Sequence, residues 1–210
     1  MNATQATRAV VEQMAATMEE NRRRLTKLDS EIGDGDHGNN MHRGFQAVLE
    51  SLNDADPSTP ADVLKNVFMT LIKKVGGAAG PIYGTAFMEA SKSLGDKDEV
   101  SAEDAADALQ AALDGVKKRG KADVGDKTIV DALEPAAGAA KEAAAEGSVA
   151  GVFRAAAGAA EEGAESTIPM TARKGRASYL GARAQGHQDP GATSTYLLLD
   201  AAARALEGEA

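Results

Sequence analysis

Three aspartates are crowded into one short polar segment of this 210-residue sequence. Asp29, Asp34 and Asp36 lie close together in the chain, and Gly33 and Gly35 between them permit a tight backbone turn. Three like charges at this spacing repel one another, and a divalent cation removes that repulsion. Oxygen donors without His or Cys partners favour Mg²⁺, Ca²⁺ or Mn²⁺ over zinc. The segment predicts a site for a hard divalent cation, with a solvated acidic turn as the alternative.

Other loops offer groups that bind phosphate, and magnesium in proteins usually shares its ligand shell with substrate phosphates. Residues 38–40 and 79–80 begin predicted helices, where backbone N–H groups and the positive end of the helix dipole attract anions. Lys127, Thr128 and Arg176 add donors and positive charge. Acidic residues, helix N-termini and cationic side chains together are typical of a metal–nucleotide site. Taken singly, the loop glycines also fit helix C-caps, and Thr128 also fits an N-cap.

Two strings resemble nucleotide-binding motifs without their structural context. Residues 33–38 match G-x-G-x-x-G, but no strand precedes them and two carboxylates occupy the approach of a pyrophosphate. Residues 120–128 nearly match the Walker A motif, but Asp126 interrupts it and no strand leads into it.

His37 lies inside the acidic segment and could carry or contact a phosphoryl group, although a lone loop histidine is more commonly structural.

The spacing of apolar residues predicts eight helices and no strand. The helices begin near residues 4, 37, 60, 79, 102, 129, 149 and 190, the first of them runs unbroken to residue 28, and residues 168–191 are predicted to form a loop. Short connections make neighbouring helices antiparallel. We therefore expect an all-α protein, an eight-helix antiparallel up-down bundle or closed barrel, with residues 1–210 in a single domain.

Four loops are rich in glycine and polar residues, namely residues 28–40, 76–81, 120–128 and 175–191. They precede the second, fourth, sixth and eighth predicted helices. In an up-down bundle, alternate connections lie at the same end. The four loops are therefore predicted to meet at one rim of the bundle, which is where a nucleotide site would lie.

The composition excludes several classes of function. The sequence has no Cys and a net charge of −9, which excludes a disulfide framework and a zinc–thiolate site and argues against a broad nucleic-acid or anionic-membrane surface. No stretch approaches the roughly 18 apolar residues of a membrane-spanning helix. The first residues do not have the pattern of a signal peptide, so we expect a soluble cytoplasmic protein with no nucleic-acid or membrane partner.

Four segments together resemble one family. Residues 28–41, 76–85, 125–133 and 175–181, followed by 186–192, are similar to the motifs of the nucleotide-binding L subunit of dihydroxyacetone kinases, in the same order and across nearly the whole chain. Ala79 and Ile129 depart modestly from the family's common Ser and Met. Neither position is one of the acidic residues.

The resemblance implies a specific fold and site. The fold would be an eight-helix up-down barrel with ADP or ATP at one end, and Asp29, Asp34 and Asp36 would hold two Mg²⁺ ions. The residues that match nucleotide-contacting positions of the family are His37, Gly38, Asn39, Asn40, Ala78, Ala79, Gly80, Gly120, Thr128, Ile129, Arg176, Asp189, Pro190 and Gly191.

The resemblance also implies an activity that needs partner subunits. In the phosphotransferase-system form of the family, ADP stays bound as a coenzyme. A phosphohistidine on an M-type subunit rephosphorylates it, and a K-type subunit holds the dihydroxyacetone that becomes dihydroxyacetone phosphate. The chain length matches this separate-subunit form. The alternatives are an ATP-dependent kinase subunit acting on another short ketose, a non-enzymatic nucleotide-sensing module that binds a regulator, and a related fatty-acid kinase domain.

Overall fold

A computed structural model describes residues 1–145 and 147–208, and all the regular structure in these two ranges is helical. This confirms the predicted all-α class. The elements are α1 Ala3–Glu20, α2 Arg22–Ile32, α3 His37–Asp54, α4 Pro60–Lys74, α5 Ala79–Leu94, α6 Ala102–Gly120, α7 Val130–Ala144, α8 Val149–Ser166, a 3₁₀ segment Arg176–Ala184 and α9 Pro190–Glu207. Within these ranges, no helix is both long and apolar enough to cross a membrane.

The single first helix predicted over residues 4–28 is wrong, because the chain forms two helices that meet at Asn21. The backbone N–H and the side-chain amide of Asn21 both donate to the carbonyl oxygen of Thr17, each at 3.0 Å. A side chain that bonds the preceding turn in this way competes with continuation of the helix. The apolar spacing continues through Leu25, so periodicity alone gave no sign of the break.

The predicted loop over residues 168–191 also contains regular structure. Its 3₁₀ segment Arg176–Ala184 is interrupted at Gly181, where φ is 57°. This left-handed backbone suits glycine, because a Cβ at positive φ would crowd the residue's own backbone. Short 3₁₀ pieces have only a weak sequence signal, which explains why the segment was not predicted.

Three predicted helix starts are confirmed by their capping contacts. Thr59 and Asp62 form a reciprocal capping box at the start of α4, and Ser101 and Asp104 form another at the start of α6. The side chain of Ser148 accepts a hydrogen bond from the third residue of α8. These contacts satisfy backbone N–H groups that have no partner within the helix.

Eight of the helices pack in a closed series. Each helix from α3 to α9 packs against the next one along the chain, α9 packs against α1, and α1 packs against α3. Seven of these correspond to helices expected from the sequence, and the first expected helix is divided between α1, which belongs to the series, and α2, which lies between α1 and α3. The short α2 contacts α3, α9 and the 3₁₀ segment.

The core differs between the two sides of this series. Large side chains such as Met18, Phe45 and Leu71 fill the side formed by α1, α3, α4 and α9. Alanines such as Ala136 and Ala160 fill the side formed by α7 and α8, which lets these helices approach closely. An apolar cavity of about 260 Å³ lies among α1 and α4 to α9.

Gly163 lets α8 approach α7 at the point where a proline interrupts the hydrogen bonds of α7. Pro135 has no N–H, so the carbonyl oxygen of Asp131 lacks its usual helical donor. A Cβ at Gly163 would lie 2.3 Å from that oxygen and 3.0 Å from Pro135 Cγ. Both obstacles are stiff, so the helices would have to separate to make room for a methyl group.

Replacing Gly163 with alanine is expected to lower the free energy of unfolding by about 1–3 kcal/mol, as overpacking in a close-packed core does. Gly158→Ala is the matched control on the same helix, because Gly158 is exposed and a Cβ there would meet nothing within 4 Å. The control should be more stable by up to about 1 kcal/mol, since alanine is the better helix former. Urea denaturation of both variants tests this, and equal stabilities would contradict it.

Candidate metal–nucleotide site

The four polar loops line one pocket of about 280 Å³. They are the connections that precede α3, α5, α7 and α9, so the structure brings together the loops predicted to share a rim. The predicted site residues on the pocket wall are Asp29, Asp34, Asp36, His37, Ala78, Ala79, Gly120, Thr128, Ile129, Arg176, Asp189, Pro190 and Gly191.

The three predicted carboxylates form one acidic cluster. Each of Asp29, Asp34 and Asp36 has an oxygen such that all three oxygens lie within 4.8 Å of one another. Asp29 is buried, whereas Asp34 and Asp36 are exposed to the pocket mouth. Carboxylate oxygens at this spacing, with no His or Cys among them, are a suitable donor set for Mg²⁺.

The last turn of α2 holds Asp29 in place. Asp29 shares the buried face of α2 with Leu25 and Ile32. Its Oδ2 accepts hydrogen bonds from the backbone N–H groups of Asp36 at 2.9 Å and His37 at 3.1 Å, and so satisfies the start of α3. One carboxylate therefore joins the end of α2 to the beginning of α3.

Two glycines permit the fold of the acidic loop. A Cβ at Gly33 would lie 2.1 Å from Asp29 Oδ1, so any side chain there would displace that carboxylate. Gly35 has a left-handed φ of 73°, which is unfavourable for other residues. The predicted role of these glycines, tight backbone geometry around the carboxylates, agrees with the structure.

A positive group already contacts the acidic cluster. The guanidinium of Arg176, from the 3₁₀ segment, lies 2.7 Å from Asp34 Oδ2. Arg176 is exposed and belongs to a different loop from the aspartates, so the ion pair spans the pocket. The contact shows that the cluster attracts cationic charge from outside its own loop.

The start of α5 presents bare backbone to the same pocket. Its N-cap is Ala78, which has no polar side chain to satisfy the first N–H groups of the helix. The pocket wall here consists of Gly76, Gly77, Ala78 and Ala79. Small side chains and an uncapped helix N-terminus allow an anion to approach the backbone closely.

The helices that begin at the opposite end are capped differently. α1, α4, α6 and α8 all start with a side chain that accepts a backbone N–H, from Asn2, Thr59, Ser101 and Ser148. At the pocket end, Asp189 caps α9, Asp29 bonds the start of α3 and Thr128 bonds the start of α7, whereas α5 has no side-chain cap. The start of α5 is therefore the helix N-terminus at the pocket end with the greatest capacity to bind an anion.

A second part of the pocket wall is apolar. Ile82, Val116, Ala122 and Ile129 line the pocket and pack in one hydrophobic cluster. Thr128 lies beside them, and its hydroxyl accepts a hydrogen bond from the N–H of Val130 at 3.1 Å, so Thr128 acts as a local cap at the start of α7. An apolar wall next to an anion-binding corner suits a ligand with a flat base and charged phosphates.

The half-buried ring of His37 is held by a polar network beneath the pocket. Its Nε2 lies 2.8 Å from Ser194 Oγ, which lies 2.6 Å from the hydroxyl of Tyr83. Tyr83 also donates to the carbonyl oxygen of Gly191 at 2.9 Å. Burial lowers the pKa of His37, although the charges of Asp29 and Asp36 oppose this, and burial raises the pKa of Tyr83 to about 12. The network fixes the imidazole, and burial favours its neutral form.

Four predicted contact residues do not belong to the pocket wall. Gly38 is buried, and a Cβ there would lie 2.1 Å from the carbonyl oxygen of Arg22, so this glycine serves the packing of α3 on α2. Gly80 likewise approaches the backbone of α4. Asn39 faces an outer depression with Arg22, and the buried Asn40 accepts a hydrogen bond from Arg43. The orientation of α3 and α5 about their own axes, which the sequence alone did not predict, directs these residues away from the pocket.

Sequence analysis missed several residues around the pocket. Tyr83 and Ser194 support His37, and Ile82 and Val116 form part of the apolar wall. A signal existed for Tyr83, which follows the bare start of α5 by one helical turn. None existed for Ser194, because its role depends on the meeting of α9 with α3 and α5.

Comparisons with known proteins agree with this geometry. A family model described as the DAK2 domain matches residues 31–204. The ADP-binding subunit DhaL of the PEP-dependent dihydroxyacetone kinase of Escherichia coli is 45% identical over 176 residues, which cover 83% of this chain and 84% of the relative. The corresponding subunit of kinase 1 from Listeria innocua is 41% identical over 184 residues, which cover 88% of this chain and 87% of the relative.

A solved structure has the same fold. The dihydroxyacetone kinase of C. freundii in complex with AMP-PNP and Mg²⁺ superposes with a TM-score of 0.71 and 27% sequence identity over 93% of this chain. The chain spans about a third of that longer protein, 33% of its length. Both the matched family model and the relatives of similar length cover most of the sequence, and this chain therefore belongs to the DAK2 domain family.

Proposed function

We propose that this chain is the nucleotide-binding subunit of a phosphoenolpyruvate-dependent dihydroxyacetone kinase, and that residues 1–210 act as one domain in the cytoplasm. The observation that carries the proposal is the pocket in which three clustered carboxylates and the bare start of α5 share one wall. A metal-bound polyphosphate needs both features. The relatives named above, which match over most of their length, are kinase subunits.

Asp29, Asp34 and Asp36 would hold two Mg²⁺ ions. The donor chemistry fits, and the ion pair between Arg176 and Asp34 shows that the cluster already takes up positive charge. Bound magnesium would neutralise phosphate charge during phosphoryl transfer. The buried Asp29 is anchored by two backbone donors, whereas Asp34 and Asp36 are accessible to solvent.

The remaining wall would hold the nucleotide. The N-terminus of α5 at Ala78 and Ala79 would bind phosphate oxygens through backbone N–H groups, as would the guanidinium of Arg176. Ile129 and the apolar cluster around it would contact the base. The remaining wall contacts in this proposal are His37, Gly120, Thr128, Asp189, Pro190 and Gly191.

Two partner subunits complete the proposed reaction. An M-type subunit would transfer a phosphoryl group from its phosphohistidine to ADP held by this chain, and a K-type subunit would present dihydroxyacetone as the final acceptor. The product would be dihydroxyacetone phosphate. In this arrangement the chain supplies alignment and charge neutralisation, which are the main requirements of phosphoryl transfer.

If ADP serves as a coenzyme, it should remain bound to the purified protein. We expect mass analysis of heat-released small molecules to detect ADP or ATP after desalting in Mg²⁺, and to detect neither after desalting in EDTA. Removal of the metal leaves the phosphates facing three uncompensated carboxylates, so they repel the nucleotide. Nucleotide that is lost rapidly in both buffers would contradict a coenzyme role.

Asp34→Ala and Asp36→Ala should each abolish this retention. We expect Mg²⁺-dependent ADP affinity, measured by calorimetric titration, to fall by at least about 100-fold. Mutating a residue that only hydrogen-bonds to a metal ligand already lowers metal affinity by about 10–100-fold, and loss of a ligand itself should cost more. Asp98→Ala is the control, since Asp98 is exposed in the connection between α5 and α6. The melting temperature should change little in all three variants, and unchanged ADP affinity in both site variants would rule out the metal site.

The phosphoryl donor distinguishes the remaining alternatives. We expect ADP bound to this chain to be phosphorylated when phosphoenolpyruvate, its phosphotransferase carriers and an M-type subunit are supplied. When a K-type subunit is then added, the phosphoryl group should reach dihydroxyacetone. Turnover with free ATP and a K-type subunit alone would instead indicate an ATP-dependent kinase. A retained nucleotide that no phosphoryl donor can phosphorylate would indicate a sensing module.

A further inference from the structure

Lys127 is a buried cation in the loop between α6 and α7. Its exposed fraction is 1%, and it is one of the largest fully buried side chains in the described part of the protein. Its φ is 62°, a left-handed value that non-glycine residues rarely adopt. A buried lysine is costly unless its ammonium group is hydrogen-bonded or paired. Both the burial and the backbone strain call for a compensating interaction.

The ammonium group of Lys127 bonds both ends of the neighbouring loop. Nζ donates to the carbonyl oxygen of Thr167, where α8 has just ended, and to that of His187, shortly before α9 begins. The loop ends also bond each other, because the N–H of Gly186 donates to the carbonyl oxygen of Ile168 at 2.8 Å. Lys127 therefore spans the base of the loop over residues 168–186.

Burial and nearby carboxylates act on Lys127 in opposite directions. Burial lowers the pKa of Lys127, and the carboxylates of Asp189 and Asp131 offset that effect only in part. The carboxylate of Asp131 also accepts hydrogen bonds from the backbone N–H groups of Gly125 at 2.6 Å and Thr128 at 2.7 Å. These bonds fix the backbone on both sides of Lys127. Lys127, Asp131 and Asp189 are all buried, and Lys127 and Asp189 also form part of the pocket wall.

The loop that Lys127 spans supplies part of the pocket wall. Lys174, Gly175, Arg176 and Ala177 all line the pocket, and Arg176 forms the ion pair with Asp34. The loop is also attached by the hydrogen bond from the N–H of Arg173 to the carbonyl oxygen of Asp126, and by a small buried cluster in which Ala172, Ala177 and Ala184 pack on Ile32 of α2. The position of Arg176 thus depends both on this packing and on how the base of its loop is held.

We infer that Lys127 is a positioning residue that clamps both ends of the loop over residues 168–186 and thereby holds Arg176 against the acidic cluster. The inference rests on the proposed function for the role of Arg176 toward the nucleotide. The clamp itself is a property of the nucleotide-free protein. The two parts can therefore be tested separately.

Trypsin cleavage of the nucleotide-free protein tests the clamp. The loop carries four exposed cleavage sites, at Arg173, Lys174, Arg176 and Arg183. In Lys127→Met we expect these sites to be cut at least about tenfold faster than in the wild type, because loss of two charge-assisted buried hydrogen bonds raises the population of the open loop. Cleavage at residues 22–24 of α2 should keep its wild-type rate.

Two further variants control this measurement. Lys121→Met is the matched control, because Lys121 lies in the same connection between α6 and α7 and has a left-handed φ of 49°, but is exposed. In this variant the cleavage sites in the loop over residues 168–186 should be cut at the wild-type rate. Lys127→Arg keeps the charge and the donors, so it should keep most of the protection, and this expectation can still be tested if Lys127→Met does not fold. Wild-type cleavage of the loop in Lys127→Met, or no protection in Lys127→Arg, would overturn the clamp.

A double-mutant cycle on ADP affinity tests the link to Arg176. Arg176→Ala should weaken Mg²⁺-dependent ADP binding, and Lys127→Met combined with it should weaken binding little further, because both changes remove the same contact. Additive effects would show that Lys127 acts on the nucleotide independently of Arg176 and would overturn this part of the inference. Unchanged affinity in Arg176→Ala would instead count against the proposed nucleotide site and would leave the cleavage result intact.

Discussion

The mutual repulsion of three clustered carboxylates is the constraint on which the site depends. One oxygen from each of Asp29, Asp34 and Asp36 lies within 4.8 Å of the others, and other groups offset part of their charge. Asp29 accepts two backbone N–H groups at the start of α3, and Asp34 pairs with Arg176 from a distant loop. The same charge that makes the cluster costly in isolation makes it selective for a divalent cation.

The two ends of the helical bundle differ in chemistry because their helix N-termini are satisfied differently. At the end away from the pocket, side-chain caps bond the first N–H groups of four helices. At the pocket end, the start of α5 consists of glycine and alanine and has no side-chain cap. The up-down order of the chain therefore places this uncapped helix start next to the carboxylates, where it can bind an anion.

Small residues set the distances between the elements that form the site. Gly38 brings α3 against α2, Gly80 brings α5 against α4, and Gly163 brings α8 against α7. Each leaves no space for a Cβ, so the spacing of these helices is fixed by backbone contact rather than by interdigitated side chains. A pocket built at the ends of such closely packed helices has well-defined walls.

The chemistry of the site was largely predictable from the sequence because it depends on residue types at short spacing. The acidic segment around Asp34, the glycines beside it and the alternation of polar loops along the chain were sufficient to predict a metal–nucleotide pocket at one rim. The family resemblance, which the DAK2 domain match confirms, added the activity. The helix starts at Thr59, Ser101 and Ser148 were predictable for the same reason, since capping is a local interaction.

Other features depend on contacts between residues far apart in the chain, and only the tertiary structure decided them. The break at Asn21 is hidden by apolar spacing that continues through it, and the turn of α3 and α5 away from the pocket at Gly38 and Gly80 follows from packing against their neighbours. The support of His37 by Ser194 joins residues 157 positions apart. The sequence by itself determined which groups could bind a metal and a phosphate, because that is a matter of residue chemistry. The tertiary structure determined which of them face the pocket and which hold the others in place, because helix rotation and loop closure are set by long-range packing.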